Sequence, residues 1–182
     1  MMQIDRIHHV AYRCNDAKQT VLWYGKMLKM GFVLAIAEDQ VPSTKAPDPY
    51  MHVFLDAGGS NVLAFFELPT REPMGRDPNT PNWVQHIAFR VKDRATLLEY
   101  KAHLEAEGVD VLGVTDHRAF HSIYCFDPNG HRVELACPDP DEAAIHARLD
   151  AVKWHMLEEW SETRRAPKHA AFLHASEFEA KP

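Results

Sequence analysis

An α+β fold, made of two βαβββ modules that form a curved mixed sheet and followed by a C-terminal helix, is predicted by three observations. The run His9-Val10-Ala11-Tyr12-Arg13 returns as His86-Ile87-Ala88-Phe89-Arg90 at an offset of 77. Each copy leads into an aspartate that can cap a helix, Asp16 or Asp93, and then to a glycine that can end one, Gly31 or Gly108. Each half closes on a hairpin ending in Glu-Leu, Glu67-Leu68 and Glu134-Leu135, at an offset reduced to 67. The first half therefore carries about ten additional residues, which the loop before Pro49 can absorb.

The elements follow in order. Ile4 to Cys14 reads as a strand, with Val10 and Tyr12 alternating against His9, Ala11 and Arg13. Leu22, Trp23, Met27 and Met30 give the first helix its apolar side, and Phe32 to Ala37 is the next strand. Glu38 to Pro49, with three prolines, reads as a loop. Tyr50 to Leu55 and Asn61 to Leu68 form a hairpin around Ala57-Gly58-Gly59-Ser60, and Thr70 to Pro81 is a polar link. In the second half Leu97, Tyr100 and Leu104 mark the helix, Val109 to Val114 a strand, and Ser122 to Ala136 the closing hairpin around Asp127-Pro128-Asn129-Gly130. The paired modules thus occupy 1–138, as 1–69 and 82–138, with 139–182 as a helical extension and tail. In that extension Ile145, Leu149, Val152, Met156 and Trp160 form an apolar stripe that can pack on the chain's own domain or on a second subunit, the latter making a homodimer, and Phe172, Leu173 and Phe178 can anchor the tail.

Composition narrows the classes of function. The 182 residues are 46% apolar and 25% charged, as in ordinary globular proteins. A net charge of −6 without a long basic run gives no reason to expect nucleic acid or an anionic membrane as partner. Cys14, Cys125 and Cys137 lack CxxC spacing, which disfavours a disulfide framework and suits a reducing compartment. The N-terminus has no apolar signal core, so a cytoplasmic location is expected.

With Val133 and Leu135 turned to one face of the last strand, Glu134 must point to the other. A lone Glu there is ordinarily a solvated side chain. If the two modules pair, however, His9, His86 and Glu134 look into one concavity, while Val10, Tyr12, Ile87 and Phe89 face the helices. Two imidazoles and a carboxylate are the facial ligand set that holds Fe(II) and leaves positions free, and the metal offsets the cost of burying the carboxylate.

At these residues the chain resembles the vicinal oxygen chelate superfamily, which includes glyoxalase I, fosfomycin and bleomycin resistance proteins, methylmalonyl-CoA epimerase and extradiol ring-cleavage dioxygenases. The resemblance rests on the two βαβββ units, the HHVA and QHIA strand starts and the YCFDPNGHRVEL hairpin, and spans Met2 to Pro138. The finer resemblance is to type I extradiol dioxygenases, through Asp116-His117, Ser122-Ile123-Tyr124-Cys125-Phe126, the DPNG turn and Glu134. It implies a metal-dependent dioxygenase that cleaves a small aromatic diol with O2. Fe(II) is the expected metal, with Mn, Ni, Zn or Co as alternatives. Tyr124 would help bind and deprotonate the diol, and His117 or His121 would supply acid–base help, although His121 departs from the family pattern. Glu67 is the candidate fourth ligand, because glyoxalase I and the epimerases carry a fourth Glu or Gln near that place; the register of its hairpin decides between that and the alternative in which Glu67 faces away and Phe66 faces the cavity. A four-ligand Ni, Zn or Co site would make the protein a lyase or epimerase instead, and a cup without catalysis would make it a sequestering protein.

Overall fold

A computed structural model of the chain describes residues 2–173. Strand β1 (Val10–Cys14) leads to helix α1 (Ala17–Leu28), then β2 (Gly31–Gln40), β3 (Pro47–Asp56) and β4 (Val62–Glu67). The order repeats as β5 (His86–Arg90), α2 (Arg94–Ala106), β6 (Leu112–Asp116), β7 (Phe120–Phe126) and β8 (Arg132–Pro138). Helix α3 (Glu142–Thr163) and a 3₁₀ turn (Lys168–Leu173) follow. Phe178, expected as a tail anchor, lies outside the described residues. No helix among the described residues is long and apolar enough to cross a membrane.

Both helix starts form as the sequence leads one to expect. Asp16 accepts from the Gln19 amide at 2.7 Å and Asp93 from the Thr96 amide at 2.9 Å, so each carboxylate satisfies one of the free first-turn N–H groups. The end of α1 differs from expectation. Lys29, at φ 60°, takes the left-handed position and its amide reaches the Tyr24 carbonyl, which frees Gly31 to begin β2. The expected loop from Glu38 also shrinks to a short turn, because β2 and β3 run to ten residues each and Pro47 sits at a strand start, where a missing N–H costs little. The residues by which the first module exceeds the second thus lengthen a hairpin rather than a loop.

The strands form two four-stranded mixed sheets, β1-β4-β3-β2 and β5-β8-β7-β6, one from each βαβββ module of the expected α+β fold. In each, the first strand pairs parallel with the last and the other pairings are antiparallel. One apolar cluster lies between the modules, with Tyr24, Met27, Leu55, Leu63 and Phe65 from the first and Leu97, Leu104, Ile123, Val133 and Leu135 from the second. At about 25 cal/mol per Å² this burial is the main force holding the modules together. Polar contacts fix their relative placement. Asn129, in the β7–β8 turn, donates to the Thr20 hydroxyl at 3.0 Å and accepts from the Asn15 amide at 2.9 Å, while the Tyr24 hydroxyl donates to Asp127 at 3.2 Å. Helix α3, by contrast, has no buried residue, and Trp154, Leu157 and Trp160 stand exposed on it.

Candidate metal centre

Alternation along β8 sends Val133, Leu135 and Cys137 into the core and turns Glu134 to the opposite face, where it is nevertheless only 3% exposed. A buried carboxylate needs partners, and three side chains supply them. Ser122, from β7, donates its hydroxyl to Oε1, and the Tyr124 hydroxyl donates to the same oxygen at 3.2 Å. His86, at the start of β5, places Nε2 2.9 Å from Oε2. The other nitrogen of His86 lies 2.9 Å from the Val84 carbonyl, which can only accept, so Nδ1 carries the proton. Nε2 then offers a lone pair toward a carboxylate oxygen, and two acceptors at that distance need a proton or a cation between them. Imidazole oriented by a backbone carbonyl, beside a carboxylate with its own hydroxyl donors, is the donor chemistry of a metal site with its outer contacts in place.

Tyr124 connects this pair to a further base. Its hydroxyl lies 2.7 Å from Nε2 of His117, in the turn after β6. Burial and the nearby Glu134 charge raise the phenol above its ordinary pKa of 10.0, so at neutral pH it is a proton carrier, not a phenolate. When Glu134 accepts the phenol proton, His117 presents Nε2–H to the phenol oxygen. The Arg132 guanidinium lies over the Tyr124 ring, 4.0 Å from its centroid.

The other sequence candidates lie elsewhere. His9, exposed just before β1, has His8, His52 and Phe54 as ring neighbours, all from the first module. Its Nδ1 is 2.7 Å from that of His8. Among the described residues no three His, Cys, Asp or Glu side chains stand together as a metal group, so within one chain His86 and Glu134 meet without His9. His121 falls on the opposite face of β7 from Ser122 and Tyr124, between Asp116 at 3.9 Å and Asp139 at 3.7 Å. Glu67 is also on the helix side of its sheet, following Leu63 and Phe65, and its carboxylate accepts from the first amide of α1, Ala17, at 2.7 Å.

The strand registers correct the offset that made Glu67 the counterpart of Glu134. Val10 pairs with Leu63 as Ile87 pairs with Val133, so the counterpart of Glu134 is Ala64, at an offset of 70. By the same registers His52 stands where Ser122 stands. His52 is not among the candidates named from the sequence. It is 8% exposed, stacks on Phe66 at 3.6 Å between centroids, and its Nε2 has no hydrogen-bond partner. Burial, aided by neighbouring His9, lowers its pKa below the usual 6.5, which keeps the imidazole neutral and able to take a proton. Its signal was available: with Val53 and Leu55 inward, His52 must share the face of Phe54.

The model of the Glyoxalase/Bleomycin resistance protein/Dioxygenase superfamily matches residues 6–135. A Bacillus subtilis (strain 168) protein named "Putative ring-cleaving dioxygenase MhqA" is 28% identical over 88 residues, covering 48% of this chain and 28% of that protein. This chain therefore spans well under two thirds of that relative. Among solved structures, glyoxalase I of Leishmania major superposes with a TM-score of 0.57 at 22% identity, covering 84% of this chain and 98% of that one. Lactoylglutathione lyase from Agrobacterium tumefaciens gives 0.53 at 21% identity, covering 75% and 96%. The antibiotic binding protein TnmS3 from Streptomyces sp. CB03234 gives 0.52 at 17%, covering 76% and 100%. At such identities the likeness is one of fold.

Proposed function

The chain belongs to the glyoxalase/bleomycin resistance/dioxygenase superfamily, and within it we propose a metal-dependent extradiol ring-cleavage dioxygenase that acts on a catechol-type diol with O2. The observation carrying this reading is the donor set. His86 and Glu134 stand side by side, Ala64 occupies the place where a fourth donor would stand, and the Glu67 carboxylate is engaged at the start of α1. With His9 as third ligand, the protein would leave positions open for both diol oxygens and dioxygen, whereas a fourth ligand suits proton-transfer chemistry. The named Bacillus relative points the same way.

His9 stands at the entry to β1 with the His52 ring 6.2 Å from its own, so we place it beside His86 and Glu134 through a homodimer in which the first sheet of one protomer closes over the second sheet of its partner. Phe32, Val33, Leu34 and Ile36, exposed on β2, would supply apolar area for that contact. The metal, Fe(II) in this reading, supplies chelation of the diol and activation of O2. The chain's own residues handle protons. With His117 in the tautomer whose Nε2 is unprotonated, Tyr124 can take a diol proton as its own passes to His117, and the reverse transfer returns it; Ser122 holds the Glu134 carboxylate in one rotamer, and neutral buried His52 is a second base on the His9 side.

The test is metal content of protein purified anaerobically, followed by oxygen uptake with a panel of catechols. Iron near one per chain, oxygen consumption with a yellow ring-opened product, and loss of both in His86→Ala are expected. Nickel or zinc without oxygen uptake, together with isomerisation of a hemithioacetal, would refute ring cleavage in favour of a lyase.

A further inference from the structure

We infer that a pocket at the end of the second sheet binds an anionic arm of the substrate, a carboxylate on the diol, and that Arg76 and Arg132 recognise it; the identity of the ligand as a diol rests on the ring-cleavage reading above. The pocket measures about 190 Å³. It is bounded by His86 at the start of β5, Arg132 at the start of β8, Phe126 at the end of β7, and Arg76 with Asp77 from the link between modules. That volume is below the roughly 300–1,000 Å³ of a site for a whole drug-sized ligand, and suits one substituent of a ligand anchored next door. Next door is the metal centre, since His86 belongs to both.

Two arginines are held ready in its wall. The Arg132 guanidinium lies 4.0 Å over the Tyr124 ring and that of Arg76 4.0 Å over the Phe126 ring, so successive same-face aromatics of β7 each carry one cation. Arg76 is fixed further by donating Nε to the Gly130 carbonyl at 3.3 Å. Gly130, at φ 87°, suits this approach, because a Cβ there would come within 3.4 Å of that nitrogen. Among the described residues neither guanidinium makes an ion pair, so the terminal nitrogens of both retain donors for a ligand. Asp77 is the carboxylate in this wall, and it is turned into its own loop, accepting from the Thr80 hydroxyl and the Asn79 amide. His131, also in the wall, is tied through Nε2 to the Arg13 carbonyl at 2.7 Å. In a chain of net charge −6, a small pocket with two pre-oriented guanidiniums beside the metal centre is a carboxylate reader.

The test compares two probes, a catechol carrying a carboxymethyl arm and the methyl ester of the same compound, by calorimetric binding and by oxygen uptake. The wild-type protein should bind the acid roughly ten- to a hundredfold more tightly than the ester, with the preference shrinking as salt is raised. Arg76→Gln should remove most of that preference while ester binding stays within about twofold, and Arg132→Gln should remove it as well. Equal affinity for acid and ester in the wild type, or a preference that survives both substitutions, overturns the inference, as does failure of the acid to bind. The two readings fail separately. Acid preference without oxygen uptake keeps the carboxylate site and sinks ring cleavage, whereas uptake at equal kcat/KM for both probes does the reverse.

Discussion

Replacing His52 by Phe should stabilise the protein while impairing it. The imidazole is buried, stacked on Phe66 with an interplanar angle of 18° and 4.1 Å from the Phe54 ring centroid, and a phenyl ring preserves both contacts. What the substitution removes is a buried Nε2 without a hydrogen bond. Such a group costs about 1–3 kcal/mol, so the variant should gain about 1–2 kcal/mol at pH 7, allowing for imperfect fit of the larger ring. For a chain of this length each kcal/mol moves Tm by about 2–4 °C. Acid should widen the gap. The folded pKa of His52 lies below the ordinary 6.5, so the unfolded chain takes up the proton first, and wild-type stability falls as pH drops through 6.5 and on through the folded pKa. A phenyl ring at that position does not titrate and brings no such loss. Thermal unfolding of chelated wild type and His52→Phe at pH 7.5, 6 and 5 measures both effects. A variant less stable by several degrees at pH 7.5, or a Tm difference that stays constant down to pH 5, would refute the claim that this nitrogen is buried and unpaired.

Further outcomes follow from the site. Glu67→Gln should cost about 0.5–1 kcal/mol by weakening the contact at the start of α1, and should leave metal stoichiometry unchanged by elemental analysis; lost metal would restore Glu67 as a ligand. Tyr124→Phe should lower turnover by about 10²–10⁴ with metal content intact, and because the phenol pKa is raised, the wild-type rate should show no loss attributable to Tyr124 up to pH 10. Cys14 and Cys125, whose thiols burial pushes up to about 11, should resist an aromatic disulfide reagent at pH 8 until denaturant is added; rapid native labelling would contradict the core described above.

Much of this was legible from residues alone, because alternation in a strand is a local rule. The faces of Glu134, Ser122 and Tyr124 follow from Val133, Leu135 and Ile123, and the two helix starts follow from Asp16 and Asp93. Register is a different matter. A Glu-Leu match suggested that Glu67 answers Glu134, yet hydrogen bonding of β1 to β4 puts Ala64 there, and no local pattern encodes that choice. The extra length of β2 and β3 was hidden by prolines that a strand start tolerates. The relation between the modules was hidden too. Alternation led to one shared face being expected for His9 and His86, but contacts such as Asn129 to Thr20 decide how the two sheets are turned, and those contacts join residues more than a hundred positions apart.

The polar knot at the β7–β8 turn has a consequence for how the chain could be divided. Asn129 and Asp127 belong to one half of the repeat, and the groups that satisfy them, Thr20, the Asn15 amide and Tyr24, belong to the other. Neither half finishes its own structure, so the repeat is a single cooperative object written twice. Nicking the polypeptide between Thr70 and Pro81 would therefore not liberate two independent proteins. It would exchange an effective local concentration on the order of millimolar for whatever concentration the experimenter supplies, and the severed halves would find each other again as tight non-covalent partners.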